Sequence, residues 1–374
     1  MQPDVTAIPT FGDVAAALDR IGPRLARTPV MNSASFDKRA DRRVVFKCEN
    51  LQHGGAFKYR GALNAILPLA LADNVSAVAT HSSGNHGIAV ALAAKVCGLD
   101  AYVVVPRDSA RPKIANIEQA GGTVIFCEPG LPAREAAVAE VMRRVDARLV
   151  HPFDDARVIA GQGTAALELL TQEPGLDVIC TPIGGGGLIG GTALAAKAMA
   201  PRCRVIGAEP SKADDAYRSF RSGTRLSVVA PATIADGLRG SIGVLNFALL
   251  QRYVDDVVTV TEQEIVNAMR IVLQDLKLLI EPSSAVAVAA LLAGKLGNSG
   301  QRIGIILSGG NVDLDQCPFL RGGDVPRSNP DGYSVNVRCL DAATIGRVEV
   351  EPFDDNERET SEAKIRNLSV DPAR

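Results

Sequence analysis

The stretch VICTPIGGGGLIGGTALAAKAMA (178–200) joins a short apolar run, four consecutive glycines and a longer Ala-rich segment. Its first part, VICTPIG (178–184), predicts a buried β-strand, and LIGGTALAAKAMA (188–200) predicts a helix. A buried strand that passes through a tight turn into a helix is typical of parallel β-sheet proteins. The stretch therefore indicates an α/β fold.

The same alternation continues on both sides of this stretch. The other predicted strands are VVFKCE (44–49), AVATH (77–81), AYVVV (101–105), TVIFC (123–127), VIGAEP (205–210) and IGIILSGGN (303–311). The other predicted helices are FKYRGALNAILPLAL (57–71), GNHGIAVALAAKVCG (84–98), REAAVAEVMRRV (134–145), ALELLTQ (166–172), IVNAMRIVLQDLK (265–277) and AVAVAALLAG (285–294). This pattern predicts parallel sheet covered by helices on both faces. Ligands of such sheets bind at the carboxyl ends of the strands, so chemistry is expected in the turns that follow them.

Residues 317–374 break the pattern. They are rich in proline and charge, and they contain two short alternating stretches, SVNVR (334–338) and RVEVEPF (347–353). We expect a peripheral extension with one hairpin and then a disordered end.

The composition of the 374 residues is that of a globular protein with a large core. A net charge of −2 and only 4% aromatic residues argue against a nucleic-acid partner. The N-terminus lacks a basic region followed by an apolar run, and no uncharged apolar stretch is long enough for a membrane span. The seven cysteines are widely spaced without a C-x-x-C pair, which predicts reduced thiols in a cytoplasmic protein rather than a zinc site.

The four glycines 184–187 are the strongest local candidate for a ligand site. Glycines let the backbone approach an anion closely, and the start of the following helix supplies N–H groups and the positive end of a dipole. A phosphate fits such a site. The alternative is a tight turn with close helix packing.

Two further motifs lie near the starts of predicted helices. HSSGNHG (81–87) places hydroxyl, amide and imidazole groups where a carboxylate could bind, although it could equally be a capping turn. In GGAFKYRGALNA (54–65), Lys58 is close to Arg60 and to the positive end of a helix. Both would lower the pKa of the lysine, as a Schiff-base lysine requires, but the motif alone also fits an ordinary surface lysine.

Two more motifs follow predicted strands. In LSGGNVDL (307–314), Ser308 would project at a strand end, where a hydroxyl can pair with a neutral ring nitrogen. In GAEPSKADDAYR (207–218), two carboxylates and a main-chain carbonyl suit Mg²⁺ or Ca²⁺. The alternatives are a turn serine and a solvated acidic turn.

Taken together and in this order, these motifs resemble those of the fold-type II pyridoxal 5′-phosphate (PLP) enzymes, in particular the serine/threonine dehydratase and serine racemase family. The resemblance covers about residues 10 to 316 and includes HPFDD (151–155), AGQGT (160–164), TIADGL (233–238) and KLLIEPS (277–283). It implies an α/β fold like that of the tryptophan synthase β chain, with two open, mostly parallel sheets and helices on both faces. Residues 1–75 and 153–316 would form a large PLP-binding domain, residues 76–152 a small domain, and residues 317–374 an extension of unknown role.

The resemblance also implies roles for individual residues. Lys58 would hold PLP as a Schiff base and take the substrate α-proton, and Ser83 would be a second catalytic residue on the opposite face of the ring. The other cofactor-binding residues would be Phe57, Asn85, Gly184, Gly185, Gly186, Gly187, Leu188 and Ser308. The substrate would be bordered by Ser82, Ser83, Gly84, His86 and Arg134. A divalent cation (Mg²⁺, or else Ca²⁺ or Mn²⁺) would be bound by Glu209, the main-chain oxygen of Ala213 and Asp215.

The implied activity is the removal of water and ammonia from a small β-hydroxy amino acid, with L-threonine and L-serine as the first choice. Serine racemisation with side dehydration, which the ADD loop (213–215) and SSGNHG favour, and 3-hydroxyaspartate dehydration are alternatives. Ala56 stands where many dehydratases have serine, and the resemblance extends to racemase-like and hydroxyaspartate-eliminating members that have alanine there. Outside this class, the alternatives are a PLP-binding protein without turnover and a nucleotide-binding module without PLP. The extension is too short for the regulatory domain of biosynthetic threonine dehydratases, and we expect a homodimer or homotetramer.

Overall fold

The computed structural model describes residues 8–72, 75–228, 231–297 and 302–314. These residues contain ten strands, which are β1 (Val30–Met31), β2 (Arg43–Cys48), β3 (Ala77–Thr80), β4 (Asp100–Pro106), β5 (Thr123–Cys127), β6 (Arg148–Leu149), β7 (Val178–Pro182), β8 (Arg204–Pro210), β9 (Asp256–Val260) and β10 (Arg302–Leu307). Most strands are short and rich in Val and Ile, and those at the centre of the six-stranded sheet are buried along nearly their whole length.

Twelve α-helices lie in the same residues. They are α1 (Phe11–Ile21), α2 (Ala34–Ala40), α3 (Lys58–Ala70), α4 (Asn85–Cys97), α5 (Arg111–Gln119), α6 (Leu131–Val145), α7 (Ala156–Gln172), α8 (Gly187–Met199), α9 (Asp215–Ser222), α10 (Val244–Tyr253), α11 (Glu262–Leu276) and α12 (Pro282–Leu292). Helices α1 and α11 each begin with a capping box, Thr10 with Asp13 and Thr261 with Glu264. These local signals fix the starts of both helices.

The strands form two separate sheets. One has six strands in the order β1-β2-β10-β7-β8-β9, in which only the β1–β2 pair is antiparallel. The other has four parallel strands in the order β5-β4-β3-β6. The predicted α/β class with two mostly parallel sheets is confirmed.

Helix α7 begins at Ala156, ten residues before the predicted helix 166–172. The glycines of AGQGT weaken the sequence signal for a helix, but here they allow close packing. A Cβ on Gly161 would lie 2.7 Å from the Arg60 carbonyl oxygen, and one on Gly163 would lie 2.8 Å from the Gly191 carbonyl oxygen. Helix α7 therefore packs against both α3 and α8 through positions that only glycine can occupy.

Two further expectations concern the C-terminal residues and a membrane span. The predicted hairpin in residues 317–374 lies outside the described residues. Among the residues that are described, no helix combines the length and the hydropathy needed to cross a membrane.

Candidate active site

Three loops at the carboxyl ends of β3, β7 and β10 build the candidate site. The first leads into α4, the second is the glycine loop that leads into α8, and the third is the LSGGN loop after β10. The third loop is fixed against the segment before α3, because Phe57 N–H donates to the Ser308 carbonyl (3.0 Å) and Gly310 N–H donates to the Gly55 carbonyl (2.9 Å). The topology thus collects motifs that are far apart in the sequence.

The glycine loop offers backbone donors at the start of α8. Gly186 occupies the N-cap position with φ +92° and makes no side-chain cap, so it leaves the first N–H groups of α8 open to an anion. The Phe153 ring lies directly against Gly185, where a Cβ would come within 2.1 Å of the ring. Glycine is therefore required at Gly185 by packing and at Gly186 by backbone conformation.

Lys58 is the first residue of α3, and its half-buried side chain reaches across to the segment after β6. Its Nζ donates to the Pro152 carbonyl at 2.7 Å and lies 5.2 Å from the centre of the Phe57 ring. Burial lowers the pKa of Lys58 to about 8, and the charge of Glu281 only partly opposes this shift. A larger fraction of the Lys58 amine is therefore neutral near physiological pH than in an ordinary lysine, and the neutral form is what a nucleophile or base requires.

The structure gives a different cause for this pKa shift from the one that the sequence suggested. Arg60, expected to lower the pKa of Lys58, points into the protein interior. Its guanidinium pairs with Glu49 (2.7 Å) and Glu168 (2.9 Å), and Lys47 pairs with Glu168 from the other side (2.7 Å). Burial of the Lys58 amine, rather than a neighbouring cation, is the main cause.

Asn85, the first residue of α4, has both ends of its amide engaged. Its Nδ2 donates to Glu281 Oε1 (2.8 Å) and Oε2 (3.0 Å), and its Oδ1 accepts from Asn311 Nδ2 (2.9 Å). Burial raises the pKa of Glu281 to about 7, while the hydrogen bond from Asn85 acts against this rise. Glu281 is a site residue that the sequence reasoning did not single out, although the quoted motif KLLIEPS contains it.

Ser308 lies at the end of β10 and is 3% exposed, next to the Asn85–Glu281 pair. A Cβ on the following Gly309 would lie 2.7 Å from Glu281 Oε1 and 3.1 Å from Asn85 Nδ2. The loop after β10 and the start of α4 are therefore in direct contact, as the predicted cofactor site requires.

Three histidines form one wall near Lys58, and each is held neutral. Burial and the charge of Lys58 keep the pKa of His86 well below its ordinary value, and burial and His81 lower the pKa of His151 to about 4. His151 Nδ1 accepts the backbone N–H groups of Phe153 and Asp154 at 3.3 and 2.8 Å, which places its proton on Nε2. His86 Nε2 lies 3.1 Å from the Val150 carbonyl oxygen, so it carries the proton and leaves Nδ1 as an acceptor.

The other predicted substrate residues lie on two elements, the turn that follows β3 and helix α6. Ser82, Ser83 and Gly84 form the turn between β3 and α4 and are partly exposed. Arg134 is on α6, and its Nε is buried without a hydrogen-bond partner among the described residues. Burial and the charge of Arg134 both lower the pKa of His81, so Arg134 is close to the turn that His81 begins.

Glu209 and Asp215 lie at the end of β8 and the start of α9, and both are fully buried. Glu209 accepts the N–H groups of Ala216 (3.2 Å) and Tyr217 (2.7 Å), and Asp215 Oδ2 accepts Ile242 N–H (2.8 Å). Burial and the neighbouring Asp215 raise the pKa of Glu209, and burial raises the pKa of Asp215 to about 6. Across the described residues, no group of three or more His, Cys, Asp or Glu side chains is arranged to bind a metal.

The arrangement fits a phosphorylated carbonyl cofactor. An uncapped helix start in a glycine loop suits a phosphate, and a buried lysine with a lowered pKa suits a covalent link to an aldehyde. The segment of residues 152–154, called the strap below, contacts both the lysine and the glycine loop. Its Pro152 carbonyl accepts from the Lys58 amine, and its Phe153 ring packs against Gly185.

Comparison with known proteins agrees with this geometry. Residues 21–309 match the family described as pyridoxal-phosphate dependent enzymes. The β-hydroxyaspartate dehydratase of Paracoccus denitrificans is 44% identical over 83% of this chain and 99% of its own length, and the serine racemase of Arabidopsis thaliana is 47% identical over 80% and 92%. A solved threonine deaminase, from T.th., is 40% identical, with a TM-score of 0.77 over 82% of this chain and 99% of that chain. This chain therefore belongs to the pyridoxal-phosphate dependent enzyme family.

Proposed function

We propose that this enzyme removes water and ammonia from small β-hydroxy amino acids, with L-threonine and L-serine as its first substrates, and gives the corresponding 2-keto acids. The observation that carries the proposal is the state of Lys58, whose buried amine has a pKa lowered to about 8 and donates its hydrogen bond to a neutral carbonyl. Relatives named serine racemase, β-hydroxyaspartate dehydratase and threonine deaminase support the substrate class.

Each group of the site has a defined task in this proposal. Bound PLP supplies the electron sink that makes the substrate α-proton acidic. Gly184, Gly185, Gly186, Gly187 and Leu188 hold its phosphate, while Phe57, Asn85 and Ser308 border its ring. Lys58 holds the cofactor and, as a neutral amine, takes the α-proton. The three histidines are neutral, so none of them adds a positive charge beside the Lys58 amine.

The turn Ser82-Ser83-Gly84 and the backbone N–H of His86 bind the substrate carboxylate in this proposal. Donors at the start of a helix suit an anion, and α4 begins directly after this turn. Ser83 would lie on the ring face opposite Lys58 in this proposal, where its hydroxyl would return a proton and invert the α-carbon. Such a step would give racemisation beside elimination, and the relatives named serine racemase are consistent with it.

3-Hydroxyaspartate is the second candidate substrate. The supporting observation is Arg134, whose Nε is buried without a partner among the described residues and whose charge acts on His81. A guanidinium beside the site with a donor still available suits a second carboxylate on the substrate. The relative named β-hydroxyaspartate dehydratase is consistent with this choice.

We also propose that Mg²⁺, or another divalent cation, binds at Glu209, the Ala213 carbonyl and Asp215. Burying two neighbouring carboxylates costs free energy unless a positive charge compensates them. The raised pKa values of Glu209 and Asp215 reflect this cost. Asp215 Oδ1 is buried and has no hydrogen-bond partner among the described atoms, so one ligand position is free. Oxygen ligands of this kind suit a hard cation.

The domain division, the assembly and the location are proposed as well. Residues 76–152 would form the small domain, since β3, β4, β5 and β6 all fall between residues 77 and 149, and residues 1–75 and 153–316 the large one. The resemblance to the family supports a cytoplasmic homodimer or homotetramer, with residues 317–374 as an extension of unknown role.

A substrate panel tests the activity. The purified protein with PLP is incubated with L-threonine, L-serine, D-serine and 3-hydroxyaspartate, and keto acid, ammonia and chirality are measured. We expect keto acid and ammonia in equal amounts, fastest from L-threonine or L-serine. A higher rate with 3-hydroxyaspartate that falls in an Arg134→Ala variant would establish the second candidate instead. No keto acid from any of the four would overturn the proposed function.

The variant Ser83→Ala separates elimination from racemisation in the same panel. We expect it to abolish the interconversion of L- and D-serine, because the proton donor on the second face is lost. Elimination from L-serine should fall only by the equivalent of one hydrogen bond, about 1–3 kcal/mol. Unchanged turnover of D-serine in this variant would contradict the two-face arrangement.

A further inference from the structure

Asn246, in the first turn of α10, is a fully buried polar residue next to the glycine loop. Its Nδ2 donates to two main-chain carbonyls, that of Gly185 at 2.8 Å and that of Phe153 at 2.9 Å. Its Oδ1 has no hydrogen-bond partner among the described residues. A buried amide costs free energy unless it is hydrogen-bonded, so the two bonds of Nδ2 are what favour asparagine at this position. These two bonds connect Asn246 to the proposed phosphate loop and to the strap of residues 152–154 beside it.

The Gly185 carbonyl is held on its outer side by two donors. Gly243 N–H donates to it at 3.1 Å, and Asn246 Nδ2 at 2.8 Å. The carbonyl and the following N–H of a trans peptide point in opposite directions because the peptide unit is planar. Because the Gly185 carbonyl is held toward α10, the Gly186 N–H points away from α10.

The packing around Gly186 agrees with this orientation. A Cβ on Gly186 would lie 2.7 Å from the Cβ of Asn246, so the asparagine fills the outer side of the loop. Gly186 has φ +92°, a conformation that glycine adopts without strain. Packing against Asn246 and the hydrogen bond from its Nδ2 thus both favour the orientation of the Gly185–Gly186 peptide in which the carbonyl faces α10.

The same asparagine also ties the loop to the strap that contacts Lys58. Phe153 follows Pro152, whose carbonyl accepts the Lys58 amine, and precedes Asp154, which caps α10 through Val244 N–H and Leu245 N–H (both 2.9 Å). Asn246 is therefore a side chain that joins the start of α10, the strap and the glycine loop.

We propose that Asn246 is a positioning residue that turns the Gly185–Gly186 peptide so that the Gly186 N–H serves the cofactor phosphate. The inference rests on the proposed binding of PLP at this loop, and it concerns the phosphate rather than the ring or the lysine. Its loss should therefore weaken the binding of PLP but not that of pyridoxal, which has the same ring and aldehyde and no phosphate.

The test compares the dissociation constants of PLP and pyridoxal for the apoprotein of the wild type and of Asn246→Leu. We expect PLP to bind about tenfold or more weakly to the variant, since a charge-assisted hydrogen bond is misdirected, and pyridoxal to change little. Inorganic phosphate should also raise the melting temperature of the apoprotein less in the variant than in the wild type.

A matched control is Asn64→Leu. Asn64 is also a buried asparagine whose Nδ2 donates to a main-chain carbonyl, that of Arg157, but it lies on α3 away from the glycine loop. This variant should lose stability and keep the wild-type ratio of PLP to pyridoxal affinity.

An equal loss of PLP and pyridoxal affinity in Asn246→Leu would overturn the inference, since it would show a merely structural role. If Asn246→Leu does not fold, the isosteric Asn246→Asp is measured in the same way. Its carboxylate repels the two carbonyl oxygens, so the affinity ratio should fall there too, and an unchanged ratio would count against the inference. Failure of the wild type itself to bind PLP would refute the proposed function instead.

Discussion

Lys58 and Arg60 are two cations two residues apart at the start of α3, and they face opposite environments. Arg60 is fully buried against the carboxylates of Glu49 and Glu168. Burial alone would lower the pKa of Arg60, but the two carboxylates outweigh it and raise the pKa above its ordinary value. Lys58 donates to a neutral carbonyl, and burial lowers its pKa to about 8. A buried cation with counter-charges stays charged and supports the fold, whereas one without them becomes reactive.

The largest expected effect is that of Lys58→Ala. The variant removes both the covalent link to the cofactor and the base for the α-proton, so we expect turnover to fall by several orders of magnitude, that is by roughly 4 kcal/mol or more. The fold should persist, because among the described residues no carboxylate depends on Lys58 as an ion-pair partner. The checks are keto-acid production and the melting temperature, and near-normal turnover would break the comparison.

The next effect is on stability and comes from Arg60→Met. The substitution leaves Glu49 and Glu168 buried without their main partner, which should lower the free energy of unfolding by about 3–5 kcal/mol. Arg157→Met is the control, because Arg157 pairs with Asp155 at a more exposed position and should cost less than about 1 kcal/mol. Denaturant unfolding measures both. An equal loss in the free energy of unfolding in the two variants would show that the buried ion pairs of Arg60 contribute no more to stability than the exposed pair of Arg157.

The pH dependence of cofactor capture sharpens the contrast further. With a pKa of about 8 instead of 10.5, Lys58 gains its neutral form as pH rises toward 8 and is mostly neutral above it. The rate at which apoprotein captures PLP should therefore rise about tenfold per pH unit between roughly pH 6 and 7.5 and level off above about pH 8. The appearance of the visible absorbance after rapid mixing reports this rate. A rise that continues to about pH 10 would indicate an ordinary lysine.

Glu209 and Asp215 extend the comparison to carboxylates, since each is buried beside a group of the same charge instead of a cation. A bound cation should stabilise the folded state, by about 2.7 kcal/mol at a concentration one hundred times its dissociation constant. Chelator should lower the melting temperature, and Mg²⁺ should restore it. Asp215→Ala should abolish this response, whereas Asp214→Ala, at the partly exposed neighbour that pairs with Arg218, should keep it. No response in the wild type would refute the site.

Much of this arrangement could be predicted from the sequence because it is encoded locally. The glycine loop lies between a clear strand and a clear helix, and the apolar runs of β7, β8 and β10 predicted the parallel sheet. The structure links the glycine loop and Lys58 through residues 152–153, while the shared site that the order of the motifs indicates stays a prediction.

The rest depended on contacts between distant residues. The sequence placed Arg60 beside Lys58, but the helix turns them to opposite sides, and only the folded chain brings Glu168 to Arg60. Likewise, Glu281 and Asn85 are far apart in sequence and meet only in the folded chain. Helices α1, α2, α5, α9 and α10 and strands β1, β6 and β9 were not predicted. Among them, α5 has little apolar surface, and β9 is short and partly exposed.

The most direct test of the central claim is to identify the lysine that holds the cofactor. Protein reconstituted with PLP is reduced with borohydride, digested and analysed by peptide mass spectrometry. The account predicts loss of the visible absorbance and the mass of a reduced pyridoxyl phosphate on Lys58, at a stoichiometry of about one per chain. An unmodified Lys58, or the label on another lysine, would contradict it.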